Sequence, residues 1–238
     1  MRNFLLLAVL TLTSAHAAET PDAPRGYVAG YDLLRNDKIE GQAEVTLSAQ
    51  DDGRWEMRNA TRGTHGLPAL VGFRIDERSL LRWRDGVPTT LGYEYRQRTA
   101  FKKRERALKV EPDNARIVSR DGKREYVLEY RDDVLDRQSV SLALAHDIAH
   151  GASGLREYAV ADREAIGMQR YRIGAHEHLV TAAGEFDAVR VERIRDSGNG
   201  RVTVTWFALT EHPFLVRLQQ TEPDGSRIEM NLNAYRAQ

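Results

Sequence analysis

Five Asp-Gly or Asn-Gly dipeptides punctuate the chain: Asp52-Gly53, Asp85-Gly86, Asp121-Gly122, Asn199-Gly200 and Asp224-Gly225. Each lies between runs in which apolar and polar residues alternate. Such dipeptides supply the φ > 0 positions of a type I′ turn, and a period of two marks a strand with one buried face. The pattern predicts a mostly antiparallel β protein built from hairpins.

The alternation can be followed strand by strand. Ala43, Val45 and Leu47 lead into Asp52-Gly53, and Trp55 and Met57 resume the period on the return. Residues 63–72 interrupt it with three glycines and Pro68, which a regular central strand does not tolerate. A short helical turn carrying Leu67, Leu70 and Val71 over the sheet is expected there. Phe73 and Ile75, Leu81 and Trp83, then Leu91, Tyr93 and Tyr95 restore the strand pattern.

One stretch has helical spacing. Asp133 is read as the N-cap of a helix over 133–150, with Asp136 at its favourable N-terminal end and Gly151 as its stop. Val140, Leu144 and Ile148 share one face, while Leu135, Leu142 and His146 lie roughly opposite. A helix apolar on two sides needs cover on both. The expected architecture is therefore a strongly curved antiparallel sheet, or incomplete barrel, cradling helix 133–150. Strands return at 168–173, 179–180, 186–194, 202–206, 215–218 and 228–232. Without internal repeat or linker, residues 27–238 read as a single β-rich domain.

The N-terminus reads as a targeting segment. Arg2, the apolar run from Phe4 to Leu12 and the small residues of Ala15-His16-Ala17 form a signal peptide over 1–18, too short to span a membrane. Residues 19–26 are expected to be a disordered leader. The chain has no cysteine, hence no disulfide, thiolate ligand or lipid-bearing N-terminal cysteine. A bacterial periplasm is the expected location. With 35 basic and 35 acidic residues, the charge balance argues against a nucleic-acid partner.

Few residues point to chemistry. Trp55, Trp83, Tyr93, Tyr95 and Trp206 all lie in alternating strands. They are ordinary core residues, or with Leu142 they line a cavity for an acyl chain or another apolar ligand. Residues 96–109 are strongly basic. Arg98, Lys102, Lys103, Arg104 and Arg106 form either a solvated edge or a docking face for anionic headgroups or an acidic partner. His146 and His150, at i and i+4, have zinc-binding spacing but no assignable third ligand, and Asp147 stands where a metalloprotease has Glu. His176 and His178 flank Glu177 on a strand and would share a face. Ser153 lacks the spacing of a nucleophile elbow, and neither a P-loop nor a dinucleotide fingerprint occurs. No cofactor is expected, and the chain is read as a non-enzyme.

The second half carries a wider pattern. Asp136-x-x-Ser139 opens the helical stretch, and Gly174 and Glu177 precede Leu179-x-Thr181-x-x-Gly184-x-Phe186-x-Ala188-x-Arg190-Val191. Trp206-Phe207, Pro213-x-x-Val216 and Asp224-Gly225 follow. The chain thus resembles the exported bacterial family catalogued as domain of unknown function 3108, from about Tyr27 to Tyr235 and most specifically over 174–216. The resemblance implies a periplasmic β-rich domain and brings no catalytic residues. A curved sheet around a helix is more distantly similar to periplasmic lipoprotein carriers and their outer-membrane receptors, an analogy of fold only. The preferred expectation is an envelope-maintenance protein binding a hydrophobic or lipidic ligand in its concave face. The alternatives are a solid-core module docking an envelope protein, and a zinc hydrolase using His146 and His150.

Overall fold

The computed structural model describes residues 24–84, 86–195 and 200–238. The expected signal peptide, most of the leader, Asp85 and Asn199 lie outside them. Eight strands precede the helical segment: β1 (Tyr27–Arg35), β2 (Lys38–Ala49), β3 (Trp55–Gly63), β4 (Arg74–Arg84), β5 (Val87–Arg98), β6 (Lys103–Glu111), β7 (Arg116–Asp121) and β8 (Arg124–Glu129). Six follow it: β9 (Gly154–Asp162), β10 (Ala165–Thr181), β11 (Gly184–Ile194), β12 (Val202–Ala208), β13 (Leu215–Thr221) and β14 (Arg227–Ala237). The helices are α1 (Gly66–Leu70) and α2 (Val140–Ala149).

All fourteen strands form one open antiparallel sheet, ordered β8-β7-β6-β5-β4-β3-β2-β1-β14-β13-β12-β11-β10-β9. The first and last strands pair in its middle, Tyr27 opposite Ala237. The edges, β8 and β9, are joined by residues 130–153, so this segment must cross the hollow from one edge to the other. The sheet curls around it. Ala161 of β9 packs with Tyr93, Leu108 and Ile117 of β5–β7, strands far away in the sheet order.

Among the described residues, the turns at Asp52-Gly53, Asp121-Gly122 and Asp224-Gly225 join strands as expected but are not type I′. Gly53 and Gly225 have φ of 76° and 81°, while Asp52 and Asp224 are not at positive φ. Gly53 N–H donates to Gln50 O and Gly225 N–H to Glu222 O, the pattern of a longer loop ending in a left-handed residue. Among the described residues, a two-residue loop with φ > 0 at both positions is Asn36-Asp37, at 47° and 65°, which has no glycine to announce it.

The helix is shorter than the expected 133–150. Residues 133–139 are extended or turn, and α2 begins at Val140 with Ser139 at its N-cap position. Asp133 instead pairs with Arg131, both oxygens engaged at 2.9 and 2.8 Å. The chain stays extended because Leu135 bridges β9: its N–H donates to Ala159 O, and Ala161 N–H donates to Leu135 O, each at 2.9 Å. Those bonds cover an edge strand that would otherwise be open to pairing. The two-sided character of α2 holds. Val140, Leu144 and Ile148 pack on Tyr171, Val191 and Phe207, and Leu142 packs with Leu47, Trp206 and Phe214.

Candidate functional site

The crossing segment is held by a buried polar cluster. An extra residue, Leu91, shifts the β4–β5 register between Leu80 and Leu81. Next to this bulge, Thr90 N–H donates to Val134 O at 3.0 Å. Asp136 is fully buried, and its carboxylate accepts from Gln138 N–H (2.8 Å), Ser139 N–H (3.0 Å), Ser79 Oγ (2.9 Å) and Thr90 Oγ1 (2.9 Å). Gln138 Nε2 donates to Met57 O at 2.8 Å. Burial pushes the Asp136 carboxyl up, while the donors from Ser139, Gln138, Ser79 and Thr90 pull it down. The cluster contains a hydroxyl and a carboxylate, yet Ser79, Asp136 and Ser139 have no exposed surface. The buried arrangement fixes the turn that leads into α2 and ties it to β3, β4 and β5.

Little space remains in the hollow. The crevice between α2 and the sheet measures about 110 Å³ and is lined by Trp83, Leu142, His146, His150, Glu211 and His212 among others. A second gap, beside Tyr31, Met57 and Phe214, is about 30 Å³. Ligand pockets run to about 300–1,000 Å³. Both spaces are smaller than that. The His146 and His150 rings lie 4.1 Å apart, tilted by 40°, and His150 Nδ1 bonds to His146 O at 2.8 Å. Among the described residues no three His, Asp or Glu side chains are grouped to hold a metal ion. His178 bonds to Asp187 and Glu185, which raise its pKa, and Glu177 accepts from Trp206 Nε1 at 2.8 Å.

The six residues expected to line a cavity do not share one. Trp55 packs on Trp83 at 5.8 Å, and Trp206 is in the central cluster. Tyr93 and Tyr95 belong to a separate cluster under β5–β8. There Tyr93 donates to Glu77 at 2.7 Å and Tyr95 to Gln97 at 2.8 Å. Burial raises the pKa of Glu77 and of Tyr93. Only Trp83 and Leu142 border the crevice. These side chains fill the hollow.

The basic stretch is likewise divided, because successive residues of a strand point to opposite faces. Arg98 and Lys103 are cross-strand partners on the outer face, and Lys102 lies in the turn between them. Arg106 shares the inner face with Tyr95, its guanidinium 5.6 Å from the ring, and pairs with Asp121 (3.4 Å) and Asp162 (3.6 Å). Arg104 has the same parity as Arg106 but is exposed near the strand's end. The five residues therefore do not form one docking face. Elsewhere on the outer face, over β4–β8, an open hollow of about 730 Å³ is lined by Leu80, Leu91, Val118, Lys109, Arg116 and Arg120. Its cations are ion-paired: Lys109 and Arg116 share Glu111, whose carboxyl their hydrogen bonds hold down to about 2, and Arg120 pairs with Glu125.

The family described as protein of unknown function DUF3108 matches residues 30–233, and the chain belongs to it. No curated protein matches. Among solved structures, a β-barrel-like protein of domain of unknown function 1849 from Brucella abortus is similar, with a TM-score of 0.58 at 12% identity, covering 91% of this chain and all of that one. That likeness shows the fold. A candidate lipoprotein from Parabacteroides distasonis (TM-score 0.36, 8% identity, 89% of this chain, 95% of that one) is less similar. So is a candidate exported protein with a YmcC-like fold from Bacteroides fragilis (0.32, 9%, 89% and 96%).

Proposed function

We propose that this member of the DUF3108 family is a non-enzymatic, exported envelope protein that acts by docking a partner on its surface. One observation carries the reading: the crossing segment and α2 occupy the concave side, leaving a crevice of about 110 Å³. A carrier needs a chamber several times larger. The preferred expectation of a ligand in the concave face gives way to the solid-core module. The interior is a rigid support that holds loops and strand ends in fixed positions. Export rests on the sequence of residues 1–18, and none of the described helices is long and apolar enough to cross a membrane.

Native mass spectrometry of protein recovered gently from a periplasmic extract tests the reading. The expected result is a ligand-free mass, with chemical crosslinks or membrane association made by the folded protein. An apolar molecule co-purifying in stoichiometric amount, and lost on unfolding, would overturn it.

A further inference from the structure

The strand ends of β3–β6 carry a charge pattern that stability alone does not favour. On the outer face Arg62 lies opposite Arg74, Arg74 opposite Arg98, and Arg98 opposite Lys103. This places four cations in one file across four adjacent strands, spaced by about 4.8 Å per strand. Like charges directly opposite repel. Arg62 is bonded to Gln42 and Lys103 to Glu105, but among the described residues neither Arg74 nor Arg98 makes an ion pair. Within β3–β6 the nearest outer-face acids are one pleat further from the rim, at Asp76 and Glu105, the latter felt by Arg98, while Glu40 of β2 pairs with Arg35.

Beside this file the two loops that join the same strands expose the three most solvent-accessible large apolar side chains of the described residues. Leu67 and Leu70 of α1 are 70% and 85% exposed, and Phe101 in the β5–β6 turn is 89% exposed. The exposure is built in. Gly63 allows close approach of Pro68, because a Cβ there would lie 2.5 Å from the Pro68 backbone. Phe73 N–H donates to Pro68 O, and Thr64 and His65 N–H donate to Glu40 O. Thr99 Oγ1 accepts from the Phe101 and Lys102 N–H groups. Ala100 N–H donates to Val71 O at 2.7 Å, tying the two loops together.

We infer that this rim is a membrane-docking surface: Leu67, Leu70 and Phe101 enter the interface of an anionic lipid bilayer while the cation file meets its phosphates. The inference rests on the surface-docking reading and names the partner. Charge complementarity selects a lipid surface. Separate apolar tips on ordered loops suit a deformable interface, and unpaired cations beside them suit phosphate headgroups. A stable protein interface would instead present a contiguous apolar core within a polar rim.

The test is co-sedimentation of the protein as cells produce it, its N-terminus established by intact mass. The vesicles are phosphatidylcholine alone or with equimolar phosphatidylglycerol. Binding is expected only to the anionic vesicles and should weaken with salt. Arg74→Glu with Arg98→Glu should weaken it at least tenfold, at roughly fivefold per basic residue. Leu67→Ser, Leu70→Ser and Phe101→Ser together should abolish it. Val127→Ser and Val180→Ser, at exposed apolar sites elsewhere, should leave it unchanged. All positions are exposed, and cooperative thermal melts no lower than that of the wild type confirm folding. No sedimentation with anionic vesicles, binding indifferent to both sets of rim variants, or stoichiometric capture of a protein through this rim would overturn the inference. A ligand-free native mass would then leave the broader docking reading standing.

Discussion

The two ends of the sheet close their hollows in different ways. Under β9–β12 the filling is apolar: Val140, Leu144 and Ile148 of α2 meet Tyr171, Ile173, Val191 and Phe207. Under β4–β8 it is mixed. Tyr93, Tyr95, Leu108 and Ile117 share the inner face with Glu77 and Arg106, and beside them the polar cluster of Ser79, Thr90 and Asp136 anchors the crossing segment. Apolar packing tolerates modest changes of shape, whereas a buried carboxylate with four donors specifies one arrangement and is costly to disturb. The mixed side therefore sets how the two ends meet, and the apolar side supplies bulk cohesion.

This contrast can be broken most severely at Asp136. Asp136→Ala leaves buried N–H and O–H donors without an acceptor and should cost about 4 kcal/mol, at 1–3 kcal/mol per unsatisfied group, read by urea denaturation. Asp136→Asn retains an acceptor and should cost clearly less. If the alanine variant lost under about 1 kcal/mol, the polar cluster would not be what joins the ends.

Leu144→Ala, on the apolar side, should cost about 3 kcal/mol through lost burial and a residual cavity. Its cost should be the same at neutral and acidic pH, because no titrating group is involved.

Glu56, on the outer face of β3, adds a pH signature of its own. Although almost wholly buried, it accepts from Arg58 and Arg78. Burial pushes its carboxyl up, but those hydrogen bonds outweigh it and hold the pKa below the ordinary 4.5. Its contribution is therefore complete above about 4.5 and fades as the pH falls through the lower folded value. Glu56→Gln should be less stable by about 2 kcal/mol at pH 7, and the gap should narrow in strong acid. Asp136 has the opposite sign. Its raised pKa means that stability linked to it falls as pH rises from the unfolded value of about 3.8 through the folded one. Thermal melts of wild type and both variants across the acid range would show whether the two groups oppose each other.

The smallest effect belongs to the rim. Arg98→Glu breaks the file of like charges and should raise stability by about 0.5 kcal/mol at low salt, a gain that disappears at high salt. A loss of stability in the same melts would mean that the file is compensated within the fold.

Much of the fold was legible in the chain. Period-two alternation placed β2 and β3, and the spacing of Val140, Leu142, Leu144 and Ile148 called for a helix covered on both sides. The helix start was misread because Asp133, Leu135 and Asp136 suit a first turn as well as they suit an extended crossing. The bridge to β9 decided between them, and no local signal carries it. Leu67, Leu70 and Val71 were read as packing over the sheet, yet both leucines are exposed. The basic run was visible, but its division between faces follows from where β6 starts. Arg62 and Arg74 drew no attention in sequence, since they lie far from Arg98 along the chain.

The sequence by itself determined the β class, most strands outside β6–β9, the two-sided helix, the absence of thiol chemistry and the family. These depend on short-range periodicity and on residue identity. Tertiary structure alone decided that the hollow is filled, that Asp136 is the tie, and that four cations and three apolar tips meet at one rim. Each depends on pairing register and sheet curvature, which bring together residues far apart in the chain.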